Sequence, residues 1–126
     1  MNVPEDRRYT DQHEWVLAIA GGGVRDGITD YAQDALGDVV FVDIVAVGTL
    51  VDAGDPIAEI ESTKSVAEVY APIPGEVTAI NDSLVADPAI VNGSPYDDAW
   101  FVVITPREPA AIDGLMDAVA YTALIA

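Results

Sequence analysis

The sequence predicts a mainly β fold, a small sandwich or barrel with a short helix after its first hairpin and a helix at the C-terminus. Many short runs of β-branched residues alternate with turns rich in Gly, Pro, Asp and Asn. No helix of crossover length separates successive runs, which argues against parallel α/β units. Hydrophobic residues make up 51% of the 126 residues, enough for one core. We therefore expect a single domain over residues 1–126.

Strands are predicted where apolar residues alternate with polar ones or form short runs between turns. Two runs flank the glycines of residues 21–23 and form a first hairpin, and two others flank Lys64 and form a second. Prolines after residue 71 end the second hairpin, because proline removes donors from the ladder. The predicted strands cover residues 14–20, 24–28, 39–44, 57–61, 66–71, 76–80, the short runs 84–88 and 89–92, and 100–104.

Two helices are predicted. Asp30 is the expected N-cap of a short helix over residues 31–36, with Gln33 in the capping-box position and Gly37 as its left-handed stop. Asp113 is the expected N-cap of a C-terminal helix over residues 113–124. The apolar face of that helix is predicted to comprise Leu115, Met116, Val119, Ala120, Ala123 and Leu124.

The charge balance narrows the classes of partner. There are 22 acidic and 5 basic residues, giving a net charge of −17. Such a surface is repelled by nucleic-acid phosphates and anionic lipids, so we expect protein partners with basic patches. The sequence shows neither a signal peptide nor a membrane-spanning stretch, which predicts a cytoplasmic protein.

Lys64 is the only lysine in the chain, and it lies between two predicted strands, where a hairpin would expose it. A primary amine at such a tip is accessible to an acylating enzyme, although a lone turn lysine is also compatible with plain solvation. The chain has no cysteine and one histidine, His13, so it offers neither a thiolate nor a two-histidine metal site. We predict no catalytic residue and no metal site.

Several motifs, in order along the chain, resemble the glycine cleavage system H proteins over nearly the whole sequence. The order is more specific than any single motif, and Thr63 and Ser65 depart from the small apolar residues that the family more often has beside its lysine. The matching segments are Tyr9-Thr10, His13-Glu14-Trp15, Gly27 to Gln33, Leu36 to Val42, the lysine segment, Tyr70-Ala71-Pro72, and Asn92 through Ser94-Pro95-Tyr96 to Trp100.

The resemblance implies a barrel-sandwich hybrid, the fold of lipoyl and biotinyl carriers, with lipoate attached to Lys64. It implies a non-catalytic carrier that takes an aminomethyl group from the pyridoxal-phosphate-dependent glycine decarboxylase (P protein) to the folate-dependent aminomethyltransferase (T protein). Dihydrolipoamide dehydrogenase (L protein) would reoxidise the arm, and a lipoate ligase or octanoyltransferase would attach it. The missing cysteines fit this role, because the cofactor supplies the reactive sulfurs.

Three carboxylates are candidate site residues. By resemblance, Glu14 lies near a groove in which the loaded arm rests, where it could hold a protonated amine; the alternative is an ordinary surface carboxylate. Glu61 and Glu68 flank Lys64 and are candidate recognition points for the modifying enzyme. They could equally keep edge strands soluble.

Three other functions are compatible with parts of the sequence. A biotin carrier would share the fold, but its lysine is typically flanked by methionines. A relay protein that passes lipoyl or octanoyl groups to other lipoyl domains is hardly separated from the H proteins by sequence. A free-standing enzyme ranks last, since one histidine and no cysteine do not form a nucleophile and base pair.

Overall fold

The computed structural model describes all residues 1–126 and contains two antiparallel sheets, which are not closed into a barrel. This confirms the mainly β class and the sandwich hybrid. The larger sheet has six strands, in the spatial order β1 (Arg8–Tyr9), β2 (Glu14–Ala18), β3 (Val24–Ile28), β9 (Val102–Pro106), β8 (Gly75–Ile80) and β5 (Leu50–Val51). The smaller sheet has three, in the order β4 (Val39–Ile44), β6 (Pro56–Ser62) and β7 (Val66–Tyr70).

The main core contains 19 buried residues, with contributions from both sheets. Side chains alternate along the strands, as in β6, where Ala58 and Ile60 are buried and Glu59 between them faces solvent. A second, smaller cluster at the N- and C-terminal ends of the chain is mostly aromatic, and Tyr9 stacks on Tyr121 with ring centroids 4.7 Å apart. Trp15 and Phe101 are buried, whereas Phe41 is 46% exposed.

The chain has four short α-helices and one 3₁₀ helix; three of the α-helices lie between strands, and the 3₁₀ helix and the last α-helix follow the final strand. None of the α-helices has the length and apolar character needed to span a membrane. They are α1 (Asp30–Leu36), α2 (Asp82–Ala86), α3 (Ile90–Gly93) and α4 (Ala118–Ile125), and the 3₁₀ helix is Pro109–Gly114.

The cap of α1 differs from the prediction by one residue. Thr29 is the N-cap, and its hydroxyl accepts from the Ala32 amide at 3.2 Å. Asp30 is instead the first helical residue and accepts from the Gln33 side-chain amide at 2.8 Å. The predicted stop is confirmed, because Gly37 has φ +80°.

Residues 84–92 are mainly helical, so the prediction of strands there is wrong. The Asn81 side chain caps α2 by accepting from the Ser83 amide at 3.2 Å, and α3 follows after a short connection. Apolar runs this short do not show whether their period is that of a helix or a strand.

The C-terminal helix begins later than predicted. Met116 exchanges backbone hydrogen bonds with Tyr9, at 2.8 and 3.0 Å, and is therefore extended. Asp117, and not Asp113, is the N-cap, accepting from the Ala120 amide at 2.8 Å. The predicted apolar face is also wrong: Ala118 and Tyr121 are buried, while Val119 and Leu124 are exposed.

Candidate functional site

Lys64 lies at the tip of the β6–β7 hairpin, as predicted, and is exposed. The tip comprises residues 62–65 and is organised by one side chain: the Ser62 hydroxyl accepts from the Ser65 amide at 3.0 Å and from the Lys64 amide at 3.3 Å. The Ser62 amide also donates to the Ser65 carbonyl at 2.8 Å. A hydroxyl that accepts from two successive amides holds the lysine backbone in one conformation.

The Lys64 tip is seated on the junction between α1 and β4. The Thr63 amide donates to the Asp38 carbonyl at 3.0 Å. The Lys64 stem lies over Gly37, where a Cβ would come within 2.9 Å of Lys64 Cε. Glycine is favoured at position 37 by its positive φ, and a Cβ there would also displace the flexible Lys64 stem from its place.

The Asn92 side chain holds the α1–β4 junction, on which the Lys64 tip rests, in place. Its side-chain amide donates to the Gly37 carbonyl at 2.9 Å, and its Oδ1 accepts from the Val39 amide at 2.9 Å. These two bonds hold the residues on either side of Asp38, whose carbonyl accepts the hydrogen bond from the Thr63 amide. Nothing in the sequence around Asn92 predicts this contact with a segment more than fifty residues earlier.

The Lys64 ammonium group has no carboxylate partner. The structure contains two salt bridges, Arg7 with Asp6 and Arg107 with Asp52, and neither involves Lys64. Its stem is supported while its charged end is free, so an incoming enzyme does not have to break an ion pair to reach the amine.

Glu14 lies in a different environment, at the wall of a groove of about 660 Å³. We call this the Glu14 groove; its lining includes Thr10, Glu14, Gly54, Tyr70, Leu115 and Met116. Glu14 is only 2% exposed, and its carboxylate accepts from the Thr10 hydroxyl at 2.9 Å and from the Tyr70 amide at 2.5 Å. Two of about four acceptor positions on the carboxylate are thereby used.

Burial raises the pKa of Glu14 to about 7, although the bonds from Tyr70 and Thr10 act in the opposite direction. The alternative of an ordinary surface carboxylate is therefore wrong. Near neutral pH this group is poised between its two protonation states, and a cation entering the groove would favour the ionised one.

Strand β7 connects the two places. It starts just after the Lys64 tip and ends at Tyr70, whose amide donates to Glu14. At roughly 3.3 Å per residue, Lys64 and Tyr70 are on the order of 20 Å apart. The structure thus puts the lysine and the groove at opposite ends of one strand and not in direct contact.

Glu61 and Glu68 both lie on the solvent-facing side of the smaller sheet. Glu61 is half-buried and opposes Phe41 and Val66, whereas Glu68 is exposed and opposes Glu59. They are close to the Lys64 tip but not part of the Glu14 groove.

His13 has a structural environment. Its Nδ1 lies 2.9 Å from the Tyr121 hydroxyl, which is also 2.7 Å from the Thr29 hydroxyl. The residue has φ +63°, a left-handed conformation at the start of β2. His13 therefore ties the turn before Glu14 to α1 and α4. The structure contains no group of three or more His, Asp or Glu side chains placed to hold a metal ion.

Asp26 is a buried carboxyl that sequence reasoning missed. It faces the core on β3 between Val16 and Val102, is 0% exposed, and neither of its carboxylate oxygens has a hydrogen-bond partner. Desolvation, followed by the nearby Glu14 charge, raises the pKa of Asp26 well above its usual value, although the Val102 backbone amide, which lies outside normal hydrogen-bond geometry, acts in the opposite direction. A signal was available, since Asp26 occupies an inward position of the alternating strand.

Comparison with known proteins agrees with this architecture. The family model of the glycine cleavage H-protein matches residues 7–126. The chain is 52% identical over 121 residues to the glycine cleavage system H protein of Micrococcus luteus, covering 95% of this chain and 94% of the relative. It is 50% identical to the H protein of Geobacillus kaustophilus, covering 99% and 98%.

A solved structure is also similar. The crystal structure of a glycine cleavage system H protein from Mycobacterium marinum superposes with a TM-score of 0.87 at 40% identity, covering 96% of this chain and 97% of that one. The sequence match and the fold match extend over the same length. The chain therefore belongs to the glycine cleavage H-protein family, whose members act as the lipoyl carriers of the glycine cleavage system.

Proposed function

We propose that this chain carries lipoate in amide linkage to Lys64, and that in the cytoplasm it shuttles an aminomethyl group from the P protein to the T protein. The L protein reoxidises the carrier, and a lipoate ligase or octanoyltransferase attaches the cofactor. The chain itself performs no catalysis. The observation that carries the proposal is an exposed, unpaired lysine, the only one in the chain, on a hairpin tip that the rest of the fold holds in place.

The residues around Lys64 fit a swinging arm. The Ser62 hydroxyl and the Asp38 carbonyl fix the backbone, and Gly37 supports the stem. Once bound, the lipoyl group supplies the thiols to which the cargo is attached. Attachment through a fixed tip confines the arm to the surroundings of the protein and raises its local concentration at a partner's site.

Glu14 is the proposed resting point for the amine of the loaded arm. Its ionised carboxylate would accept a charge-assisted hydrogen bond from a protonated amine, using acceptor positions that Thr10 and Tyr70 leave free. The groove walls at Leu115 and Met116 would limit the access of water. Glu14 thus holds the amine of the loaded arm and helps to shield it from water, and the partner enzymes carry out the chemical steps.

Intact mass spectrometry tests the attachment site. The chain isolated from its own host should carry a lipoyl or octanoyl increment that Lys64→Arg lacks, since a guanidinium does not replace the amine as acceptor. An unmodified wild-type chain from cells that lipoylate other proteins would refute the assignment. A biotin increment would favour the biotin carrier.

A reconstituted system tests the shuttle against the relay function. With purified P and T proteins, the lipoylated chain should support glycine decarboxylation and transfer of the aminomethyl carbon to folate, and Lys64→Arg should support neither. Transfer of the acyl group from Lys64 to a second lipoyl domain, without glycine turnover, would instead establish the relay.

A further inference from the structure

The outer face of the smaller sheet carries one row with exposed apolar side chains and one row of carboxylates. The strand register places side chains in two rows across β4, β6 and β7. Directly opposed residues of antiparallel strands point to the same side, about 5 Å apart. The row nearer the Lys64 tip is Phe41, Glu61 and Val66, and the next is Asp43, Glu59 and Glu68.

The row nearer the tip presents apolar anchors. The β4–β6 register shifts between Val39 and Phe41, which is a β-bulge, and Val40 and Phe41 are 56% and 46% exposed. Bulges redirect side chains, and here an aromatic residue in a β-branched strand is turned toward solvent. With Val66, which is 61% exposed, these residues form an apolar border beside the lysine.

The second row consists of carboxylates only. Asp43 opposes Glu59, and Glu59 opposes Glu68, so three acidic side chains cross the sheet in a line. Like charges in direct opposition destabilise a sheet. Neither salt bridge of the structure involves them, so nothing within the chain neutralises the row.

We propose that this outer face is the docking surface for the enzyme that acylates Lys64, and that this enzyme presents an apolar pocket bordered by Arg or Lys side chains. The inference rests on the proposed function of Lys64 and extends it to the partner. Val40, Phe41 and Val66 fill the pocket, while the carboxylate row pairs with the basic border, where its repulsion is relieved.

The acylating enzyme is the occupant because it meets the chain before any arm exists. It therefore has only protein surface to recognise, and that surface must lie next to the amine. In the ligase reaction the deprotonated Lys64 Nζ attacks the carbonyl carbon of an acyl adenylate formed from lipoate and ATP. A C–N bond forms, the bond to AMP breaks, and the second amine proton passes to solvent.

The experiment compares matched variants as substrates of a purified lipoate–protein ligase with lipoate and ATP, following the lipoyl increment by intact mass. Phe41→Thr should lower kcat/KM about tenfold or more, mostly through KM, because truncating an interface anchor has effects of that size. Val40→Thr should act in the same direction. Leu50→Thr is the control, because Leu50 is 73% exposed beside an acidic residue, Glu76, but on the other sheet.

Salt dependence tests the acidic row. The wild-type rate should fall as ionic strength rises, and the double variant Glu59→Gln/Glu68→Gln should lose most of that dependence. Glu76→Gln, an exposed strand glutamate on the other sheet, should keep it.

Three results would overturn the inference. Equal rates for Phe41→Thr, Val40→Thr and Leu50→Thr, with unchanged melting temperatures, would show that the apolar border is not recognised. An unaltered salt dependence in the double variant would show that the acidic row does not take part in docking. Normal acylation together with weakened transfer to the P protein would assign the face to that partner instead. Failure of the wild-type chain to be acylated at all would count against the proposed function of Lys64 and is thereby distinguishable.

Discussion

The two ends of β7 lie in opposite surroundings. At one end Lys64 is exposed and has no ion-pair partner. At the other, Tyr70 donates to a carboxylate that is 2% exposed and whose pKa is raised by burial. The comparison shows how a small fold can separate two tasks: a charge in water is inexpensive to move between partners, whereas a buried charge binds an opposite charge strongly.

Among the predictions, the largest effect is expected from removing the charge of Glu14, at the buried end of β7, and it concerns the stability of the loaded carrier. In Glu14→Gln the groove keeps its shape but loses its anion, so the loaded aminomethyl group should be released about 10 to 100 times faster, the equivalent of one charge-assisted hydrogen bond. The measurement is the decay rate of the loaded carrier at pH 8. Thr78→Ala, an exposed site on β8, serves as the control.

The same end should show a pH dependence. The pKa of Glu14 is about 7 in the empty groove, and a bound ammonium group favours the ionised form, so the carboxylate that holds the amine is lost only as pH falls below 7. Decay of the loaded carrier should accelerate there, and Glu14→Gln should remove this dependence. A wild-type decay rate that responds to pH below 7 no differently from that of Glu14→Gln would contradict the assigned role.

Asp26 extends the comparison, since its buried carboxyl makes no hydrogen bond of normal geometry and the Val102 backbone amide offsets its burial only in part. Its pKa is raised above the usual 3.8, so from that value upward the folded state retains a proton that the unfolded state has lost, and stability falls as pH rises. Asp26→Val should therefore increase the free energy of unfolding by about 1–3 kcal/mol at neutral pH.

Chemical denaturation at several pH values measures this gain. It should shrink as pH falls toward 4, where the unfolded carboxyl is protonated too. A gain that is the same at every pH would mean that packing and not the carboxyl is responsible.

At the exposed end, adding one methyl group at Gly37 should change both the folding stability and the acylation of Lys64. Gly37→Ala introduces a Cβ within 2.9 Å of Lys64 Cε and a positive φ of +80° for an L-residue. We expect a loss of about 1–2 kcal/mol in stability. We also expect slower acylation of Lys64, because its stem must leave the seat. Gly48→Ala is the control, since it shares a positive φ, +95°, but has open space around its Cβ.

The smallest effect is expected from neutralising one member of the carboxylate row, and it concerns the free energy of unfolding. Glu59→Gln removes the shared member of two like-charge contacts, and we expect an increase of roughly 0.2–1 kcal/mol in the free energy of unfolding at low salt. The gain should disappear at 1 M salt, where the Debye length is about 3 Å. Glu76→Gln, which opposes Leu50 and Thr105, should show no such gain.

Sequence reasoning was most successful where the determining interactions are local. The β6–β7 hairpin, the position of Lys64 at its tip and the stop at Gly37 depend on residues close in sequence, through alternation and turn chemistry. It was least successful where distant segments compete. Thr29, and not Asp30, caps α1, and Thr29 is also in contact with the hydroxyl of Tyr121 from the far end of the chain.

The C-terminal helix illustrates the same limit. Residues 113–116 have a pattern compatible with a helix, but Met116 pairs with Tyr9 and is held extended. A backbone donor paired with another strand is not available to a helix, so the tertiary contact decides where α4 begins.

By itself, the sequence determined the mainly β class, the lone lysine between two strands and the order of motifs that identifies the family, because each depends on residue type and short spacing. Only the tertiary structure decided that Glu14 is buried against Tyr70, that Asn92 supports the seat of Lys64, and that Asp26 lacks a partner. The reason is physical. Burial and the partners of a buried polar group are properties of the assembled core, in which residues far apart in the chain share one desolvated space.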